Sequence, residues 1–282
     1  MTKHLKAVPL GEAPSLEDAD AAPPSWVPDR DDLRDATEKL LDRLGELQAA
    51  LYADGRRALM VVLQGRDASG KDGVIRRVFS ALNPQGTQVA RFEAPSATER
   101  RHDFLWRVHA MVPPRGIVGI FNRSHYEDVL VARVRGLVAE ATWRRRYAHV
   151  NAFEQLLADE GVVLVKFCLH VSREEQRQRL LERVDDPAKN WKFREGDLED
   201  RALWPQYTAA YQDALAQTST AWAPWYVVPA DDKRVRDWLV ADVLVRTLER
   251  LEFRPPLAQP ELVAKWRQAL GEAPAPAPSK ST

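Results

Sequence analysis

The sequence predicts an α/β fold, a three-layer α/β/α sandwich that contains a parallel sheet and carries a helical lid. Two observations predict it. Short, mostly apolar runs recur along the chain, and such runs are typical of parallel strands buried on both faces. Longer segments with an apolar residue at every third or fourth position separate these runs and are typical of amphipathic helices. Strands that alternate with helices in this way form a doubly wound sheet.

The predicted elements follow one another along the chain. The first helix is predicted from apolar residues three or four positions apart, namely Leu33, Ala36, Leu40, Leu44, Leu47 and Leu51. Five strands are predicted at Ala58–Leu63, Gln88–Phe92, Ile117–Phe121, Val162–Leu169 and Trp225–Val228. Further helices are predicted at 72–82, 97–110, 124–135 and 141–159. Another begins at Ser172, because Glu175 stands three residues later and completes a capping box.

Length and composition limit the class of protein. The 282 residues suggest one large domain with short appendages. The 41 basic residues balance 41 acidic ones, so we expect neither nucleic acid nor a membrane as a partner. The single cysteine, Cys168, lies in an apolar run and predicts a buried thiol without a disulfide. No segment has the length and apolarity of a signal peptide or a membrane span, so we expect a cytoplasmic location.

The two ends of the chain differ from its middle. Residues 1–28 are rich in alanine and proline without a sustained period, which predicts a flexible N-terminal arm. Residues 29–255 contain the strands and helices and form the predicted domain, with a lid at about 173–200. Residues 256–282 are predicted to form a C-terminal helix followed by a tail in which alanine alternates with proline.

A glycine-rich loop follows the first strand and opens a helix. Its sequence is Gly65-Arg66-Asp67-Ala68-Ser69-Gly70-Lys71-Asp72, which fits the Gly-x4-Gly-Lys pattern of a phosphate-binding loop. Backbone N–H groups in such a loop point at phosphate oxygens, and the helix N-terminus and the lysine add positive charge. We therefore predict that phosphates bind at Gly65, Ala68, Ser69, Gly70, Lys71 and Asp72.

Two acids in this loop depart from the common pattern. A Ser or Thr that binds Mg²⁺ usually follows the lysine, whereas Asp72 stands there. Asp67 would repel phosphate unless a cation lay between them, which predicts that Asp67 helps to hold a metal ion. The alternative is a solvent-facing acid at the rim of the loop.

A second motif follows the third strand. It reads Asn122-Arg123-Ser124-His125-Tyr126-Glu127-Asp128, and the carboxyl ends of parallel strands place it beside the loop. Arg123 can stabilise charge on a transferring phosphoryl group. Glu127 and Asp128 could act as metal or base groups, or could simply favour a helix N-terminus.

A basic stretch lies between the fourth and fifth strands. Arg179 and Arg183 stand four residues apart on one predicted helix, and Lys189 and Lys192 follow in a non-helical stretch. A mobile basic lid over a phosphate site would exclude water that hydrolyses the donor, as a kinase requires. The alternative is a solvated helix face.

The segment after the second strand is a candidate site for an acceptor nucleotide. It contains Arg91, Phe92 and Pro95, and its position follows by analogy with nucleotide kinases. The alternative is a plain connecting loop.

The chain resembles the polyphosphate kinase 2 family. The resemblance rests on the phosphate loop, the second motif and further segments that occur in family order, namely 146–154, 166–172, Lys189-Asn190-Trp191-Lys192 and 224–233. It implies a P-loop kinase-like fold and reversible phosphoryl transfer, with Mg²⁺ or Mn²⁺, from inorganic polyphosphate to nucleotides. It implies catalytic roles for Asp67, Lys71 and Arg123, and an assembly of two or four copies. It also implies that four lid residues bind the polyphosphate chain, namely Arg179, Arg183, Lys189 and Lys192.

One departure from the family pattern affects the expected subclass. Many members have Asp where this chain has Asn122, and an amide cannot act as a base or an anionic metal ligand. The resemblance implies that Asp67 carries more of the metal, or that Glu127 or Asp128 substitutes. The Asn-Arg-Ser-His-Tyr-Glu form resembles the branch that accepts nucleoside monophosphates as well as diphosphates, giving ATP and GTP from ADP, GDP, AMP and GMP. The alternative function is an ATP-dependent nucleoside or small-metabolite kinase of the same fold.

Overall fold

The computed structural model describes residues 3–254 and 259–271. Its centre is a sheet of five parallel strands in the order β2-β3-β1-β4-β5. The strands are β1 Ala58–Gln64, β2 Thr87–Arg91, β3 Val118–Asn122, β4 Val162–His170 and β5 Trp225–Pro229. The residues of β1 are buried without exception, as the sequence pattern predicts for a central strand covered on both faces.

Helices cover both faces of the sheet. Within the described residues they are α1 Arg30–Asp54, α2 Lys71–Val78, α3 Trp106–His109, α4 Val131–Val134, α5 Glu140–Asp159, α6 Arg173–Asp185, α7 Glu195–Ala202, α8 Trp204–Thr218, α9 Lys233–Glu249 and α10 Pro260–Ala269. One apolar core joins the sheet to α1, α2 and α9, and a second joins its other face to α5 and α8. The three-layer P-loop kinase-like sandwich is therefore confirmed.

The five predicted strands agree with the observed ones to within one residue at either end. Two predicted helices are wrong. Residues 124–135 form a short 3-10 helix, His125–Asp128, and then the single-turn α4. The reason is hydrogen bonding outside a helix. The Ser124 hydroxyl accepts from the Tyr126 backbone N–H, and the His125 and Tyr126 side chains both bond to the buried Glu154.

Residues 97–110 are likewise interrupted. A 3-10 turn at Glu99–Arg101 is separated from α3 by an irregular stretch. There the Asp103 carboxylate accepts a hydrogen bond from the backbone N–H of Leu105 at 3.0 Å. A local bond of this kind competes with continuous helix formation.

The N-terminal segment was predicted to be a flexible arm, and the structure shows it packed on the domain. The backbone N–H of Val8 donates to the Trp225 carbonyl at 2.8 Å, and the Ser219 hydroxyl donates to the Val8 carbonyl. Leu16 is 4% exposed, and the Glu17 carbonyl lies 2.8 Å from a ring nitrogen of His170. The segment therefore covers the start of β5, an edge strand of the sheet.

The remaining predictions about the chain concern its thiol and its C-terminal end. Cys168 is buried, and burial raises the pKa of its thiol to about 12, so the group is unreactive at neutral pH. Helix α10 lies in the predicted C-terminal segment, and the alanine–proline tail lies outside the described residues. None of the helices in the described ranges is long and apolar enough to cross a membrane.

Candidate active site

The phosphate loop joins β1 to α2, and steric constraints explain why glycine occupies two of its positions. A Cβ on Gly65 would lie 2.6 Å from the Leu169 carbonyl oxygen, and φ at Gly70 is +104°. The Arg236 guanidinium of α9 lies directly behind Gly70 and Gly73, 3.1 Å from an ideal Cβ at Gly73 and closer still to one at Gly70. Ala68, at φ +60°, occupies the left-handed region without being glycine. The loop is thus tightly curled and backed by neighbouring elements.

Lys71 begins α2 and curls back across the loop. Its ammonium group donates to the carbonyls of Gly65 at 2.6 Å and Arg66 at 3.0 Å, and the residue is 8% exposed. Burial, together with the charge of Arg123, lowers the pKa of Lys71 to about 8. A bound phosphate, which is negatively charged, would favour the charged form of Lys71 and raise its pKa.

Asp67, Arg123 and Glu127 form a charge network at the mouth of the loop. The Arg123 guanidinium donates to Asp67 Oδ1 at 2.8 Å and to Glu127 Oε2 at 3.3 Å. Burial would raise the pKa of Asp67, but the charges of Lys71, Arg123 and Arg183 hold it below its ordinary value. Burial raises the pKa of Glu127 despite Arg123. The backbone of Arg123 is also left-handed, at φ +63°, which aims this side chain at the loop.

Asn122 and Asp72 meet across the site. The Asn122 amide donates to Asp72 Oδ1 at 2.7 Å. The Asp72 carboxylate therefore lies next to Asn122, the amide that stands where the family resemblance leads us to expect an aspartate. Sequence reasoning named both residues but did not pair them, because the contact spans 50 positions along the chain.

Asp128, predicted as a metal or base group or as a residue that favours a helix N-terminus, pairs with two arginines. Its carboxylate lies 3.4 Å from an Arg146 nitrogen and 3.8 Å from an Arg107 nitrogen. Burial raises the pKa of Asp128, and the two arginines oppose that rise. Asp128 therefore anchors the second motif to α3 and α5.

A buried polar network supports the second motif from below. The Lys166 ammonium donates to Glu154 Oε2 at 2.5 Å and to the Tyr126 hydroxyl at 2.7 Å. His125 lies 3.1 Å from Glu154, and all four side chains are inaccessible to solvent. Burial lowers the pKa of Lys166 to about 8. The network fixes the turn that positions Arg123 and Glu127, and it makes His125 structural.

The four lid residues predicted to bind phosphate lie in different environments. Arg183 lies beside the loop, 3.3 Å from Asp197 Oδ2, whereas Lys189 pairs with Asp186 at the exposed rim. The side chain of Lys192 lies outside the described residues. Arg179 is only 7% exposed, and its guanidinium donates to backbone carbonyls of the loop. An arginine looks the same in sequence whether it binds ligand or backbone.

Asp197 was missed by sequence reasoning. This residue of α7 lies next to Asp67, and burial and the Asp67 charge raise its pKa. Asp67 also lines a cleft, together with Arg123, Glu127, Leu130, Tyr207 and Tyr211. Asp197 is one of several acidic residues in the predicted lid, so nothing in the sequence distinguished it.

The residues predicted to bind a nucleotide follow β2. Phe92 is 5% exposed and packs on Phe121 with ring centroids 4.9 Å apart, so its ring belongs to the core and not to a binding surface. Arg91 is exposed and pairs with Glu93, and Pro95 is partly exposed. The Phe92 backbone N–H donates to the Asn122 carbonyl at 3.1 Å, so this segment begins beside the second motif.

Fold and site together define a P-loop kinase, with a phosphate-binding loop, a loop lysine and a facing arginine at the carboxyl edge of a parallel sheet. The model of the family Polyphosphate kinase 2 matches residues 28–255. The chain belongs to the polyphosphate kinase 2 family.

Similar proteins carry related names. The AMP/ADP-polyphosphate phosphotransferase of Meiothermus ruber is 55% identical over 223 residues, which cover 79% of this chain and 83% of that one. The ADP-polyphosphate phosphotransferase of Rhodopseudomonas palustris is 47% identical over 232 residues, 78% and 80% of the two chains. The crystal structure of polyphosphate kinase 2 from Arthrobacter aurescens matches with a TM-score of 0.86 at 40% identity, over 90% of this chain and 91% of that one.

Proposed function

We propose that the protein transfers phosphoryl groups reversibly from inorganic polyphosphate to nucleoside diphosphates and monophosphates. The observation that carries the proposal is the convergence of Lys71, Arg123 and Asp67 at one loop. The names of the similar proteins, which specify polyphosphate with AMP or ADP, support the two substrates. One phosphoanhydride replaces another, so little free energy separates the two sides and the reaction runs in both directions.

The protein's own groups act by position and charge. Phosphoryl transfer requires little covalent chemistry from an enzyme, because orientation and charge stabilisation supply most of the rate. The loop N–H groups and Lys71 hold phosphates at the reacting end. Arg123 faces the same space and neutralises charge that develops on the transferred group. Arg183 and Lys189 attract the rest of the polyanion, and the segment after Arg91 holds the acceptor.

A divalent cation, Mg²⁺ or Mn²⁺, fits the donor set. Asp67 and Asp197 offer carboxylate oxygens beside the phosphate loop, and Asp72 accepts a hydrogen bond from the Asn122 amide. The described residues contain no group of three or more acidic, His or Cys side chains that could hold a metal alone. This suits Mg²⁺, which is bound through one or two carboxylates plus substrate phosphates. When bound, the ion neutralises phosphate charge.

A product-resolved assay tests the proposal. Purified protein is mixed with polyphosphate, a divalent cation and AMP, ADP, GMP or GDP, with no ATP present. We expect ATP or GTP from the diphosphates and stepwise phosphorylation of the monophosphates. An ATP-dependent nucleoside or metabolite kinase, the rival function, would give no triphosphate under these conditions.

The proposal extends to location and assembly. Nucleotides and polyphosphate as substrates agree with a cytoplasmic location, and we propose a homo-oligomer of two or four copies. Light scattering coupled to size-exclusion chromatography measures the mass, and one chain weighs 32.0 kDa. A monomer at assay concentration would contradict this part of the proposal only.

A further inference from the structure

Helix α6 holds three consecutive carbonyl groups of the phosphate loop. The Gln176 amide donates to the Asp67 carbonyl at 3.0 Å. One terminal nitrogen of Arg179 donates to the Ala68 carbonyl at 3.0 Å and to the Ser69 carbonyl at 3.3 Å. Gln176 and Arg179 stand three positions apart, so both reach the loop from one face of the helix.

These bonds determine where the loop N–H groups point. In a planar trans peptide, a carbonyl and the N–H of the following residue point in opposite directions. Carbonyls of Asp67 and Ser69 that point at α6 therefore direct the N–H groups of Ala68 and Gly70 away from α6, into the loop. The N–H of Ser69 instead donates to the Arg66 carbonyl at 3.1 Å and closes the turn. Ala68, held at φ +60°, is the residue where this geometry stores strain.

Arg179 has no donor left for a phosphate chain. Its second terminal nitrogen donates to the carbonyls of Ala230 at 2.6 Å and Asp231 at 2.8 Å, beyond β5. Its Nε donates to Glu175 at 2.7 Å. A guanidinium has five N–H donors, and here they face five acceptors. Arg179 thus ties the phosphate loop to the segment after β5 and to its own helix.

We propose that Gln176 and Arg179 are positioning residues, which set the anion-binding shape of the phosphate loop by holding its carbonyls. The inference rests on the proposed function, because it assigns these residues to the site at which polyphosphate and nucleotide react. It also joins the lid to the loop, since Arg201 of α7 donates to Gln176 Oε1 at 2.9 Å. A shift of α6 therefore reorients the peptides that receive phosphate.

The alternative role for Arg179 is that of a cation that binds the polyphosphate chain directly. The positioning role and this alternative require different properties of the side chain. A cation that binds the chain requires charge, so Arg179→Lys would preserve activity. A positioning guanidinium requires a planar fork, because one ammonium cannot serve carbonyls of two separate segments. Misplacement of reacting groups by about 1 Å can cost on the order of 100-fold in rate.

The test compares Arg179→Lys, Arg179→Ala and Gln176→Ala with a matched control, Arg177→Ala. Arg177 lies on the same helix, is exposed and pairs with Glu174. We measure kcat and KM with short and long polyphosphate, and the binding of tripolyphosphate to each folded variant by calorimetry. Millimolar guanidinium is added to Arg179→Ala to replace the lost group.

For both Arg179 variants we expect kcat to fall about 10- to 100-fold, by the same factor for short and long polyphosphate. We expect weaker tripolyphosphate binding and partial rescue of Arg179→Ala by guanidinium. Gln176→Ala should lose about 3- to 10-fold, and Arg177→Ala should match wild type. Full activity of Arg179→Lys, or a KM increase restricted to long polyphosphate, would overturn the proposal.

Two further outcomes must be distinguished from failure of the positioning role, namely a variant that does not fold and a wild type that does not use polyphosphate. If Arg179→Ala does not fold, Gln176→Ala decides the question, since it removes one hydrogen bond and retains the guanidinium. If wild type gives no product from polyphosphate, the proposed function fails. The calorimetric comparison of tripolyphosphate binding then still tests the positioning role, and equal affinity in wild type and Gln176→Ala would contradict it.

Discussion

At the scale of single residues, the site is a cluster of charges that the protein alone leaves unbalanced. Burial and the nearby charge of Arg123 lower the pKa of Lys71, and burial and the nearby charge of Asp67 raise the pKa of Asp197. Like charges held together in a partly dry cleft cost free energy. Substrate phosphates and a cation would remove both repulsions, so binding should be the step that relaxes this arrangement.

Replacing Lys71 by alanine should remove turnover while leaving the fold intact. The ammonium contacts only two loop carbonyls within the described protein, so its main task is to meet phosphate. Loss of a comparable catalytic charge typically costs on the order of 10²–10³ in rate. Steady-state rates and a thermal melt of Lys71→Ala, beside the exposed control Lys39→Ala, check this. A folded Lys71→Ala with near-wild-type rate would refute the phosphate-loop assignment.

The pH dependence of the reaction should report the depressed pKa of Lys71. Its pKa is about 8 in the free protein, against an ordinary 10.5, so its charge is present below pH 8 and disappears above it. We expect kcat/KM for polyphosphate to fall about tenfold per pH unit above that value. Bound phosphates favour the charged form, so kcat should remain level to higher pH. A flat kcat/KM profile from about pH 7 to 9.5 would contradict this.

Asp67→Asn should reduce activity severely and change the metal requirement. Asparagine preserves the size of the side chain but removes the charge that attracts a cation. We expect the rate to recover in part at raised Mg²⁺ or Mn²⁺, and calorimetry with Mn²⁺ to show weaker binding. Asp197→Asn should shift the metal dependence in the same direction by a smaller factor. Wild-type rates with unchanged metal dependence in Asp67→Asn would remove this residue from the mechanism.

At the scale of elements, the lid should discriminate between a long polyanion and a compact nucleotide. Replacing Arg183, Lys189 and Lys192 by glutamine should raise KM for polyphosphate more than KM for ADP, increasingly so with chain length. Added salt should weaken polyphosphate use by wild type in parallel, because exposed charges are screened. To check this, we measure KM for polyphosphate and KM for ADP in wild type and in the triple variant, with short and long polyphosphate and at low and high salt.

The matched control for the lid prediction is Arg34→Gln combined with Arg177→Gln. Both arginines are exposed and pair with a glutamate on their own helix. Equal losses for polyphosphate and ADP in the triple variant would make the lid a general closing element. Unchanged constants for both substrates in the triple variant would show that these basic residues form only a solvated surface.

Helices and strands could be predicted from the sequence where the pattern of buried and exposed residues is regular along the whole segment. The central strands β1, β3 and β4 were predicted to within one residue because nearly all of their residues are buried, which gives apolar runs on both faces. The segment 124–135 failed because His125 and Tyr126 bond to Glu154, which lies 29 and 28 positions away. Contacts of that range have no local pattern.

The same limit applies to the site. Lys71, Asp67 and Arg123 could be placed together, since strand order brings loop ends to one edge of the sheet. The partner of Arg179 could not be predicted, because sequence does not distinguish an arginine that bonds carbonyls of Ala68 and Ala230 from one that bonds phosphate. Asp197 was missed because its neighbour, Asp67, lies in another element.

At the scale of the whole molecule, the N-terminal segment should contribute to stability and not to catalysis. Leu16 is 4% exposed, whereas Leu10 is 59% exposed on the same segment. Leu16→Ala should cost about 2 kcal/mol, the lower end for a buried leucine. For a domain of this size we expect the melting temperature to fall by about 4–8 °C. Leu10→Ala is the control, and equal melting temperatures would show that the segment is not held.

The guanidinium of Arg236 behind the phosphate loop has a consequence for how this sequence can diverge. Gly70 requires glycine for its own backbone, at φ +104°, whereas Gly73 is helical, and the three heavy atoms nearest to a Cβ placed there belong to the Arg236 side chain. Arg236 is 3% exposed and bonded twice to Asp237, so it cannot move aside cheaply. A larger residue at 73 therefore becomes acceptable only after 236 shrinks, and a smaller residue at 236 leaves a void until 73 grows. Positions 163 residues apart should vary in descendants as a pair, in a fixed order of substitution.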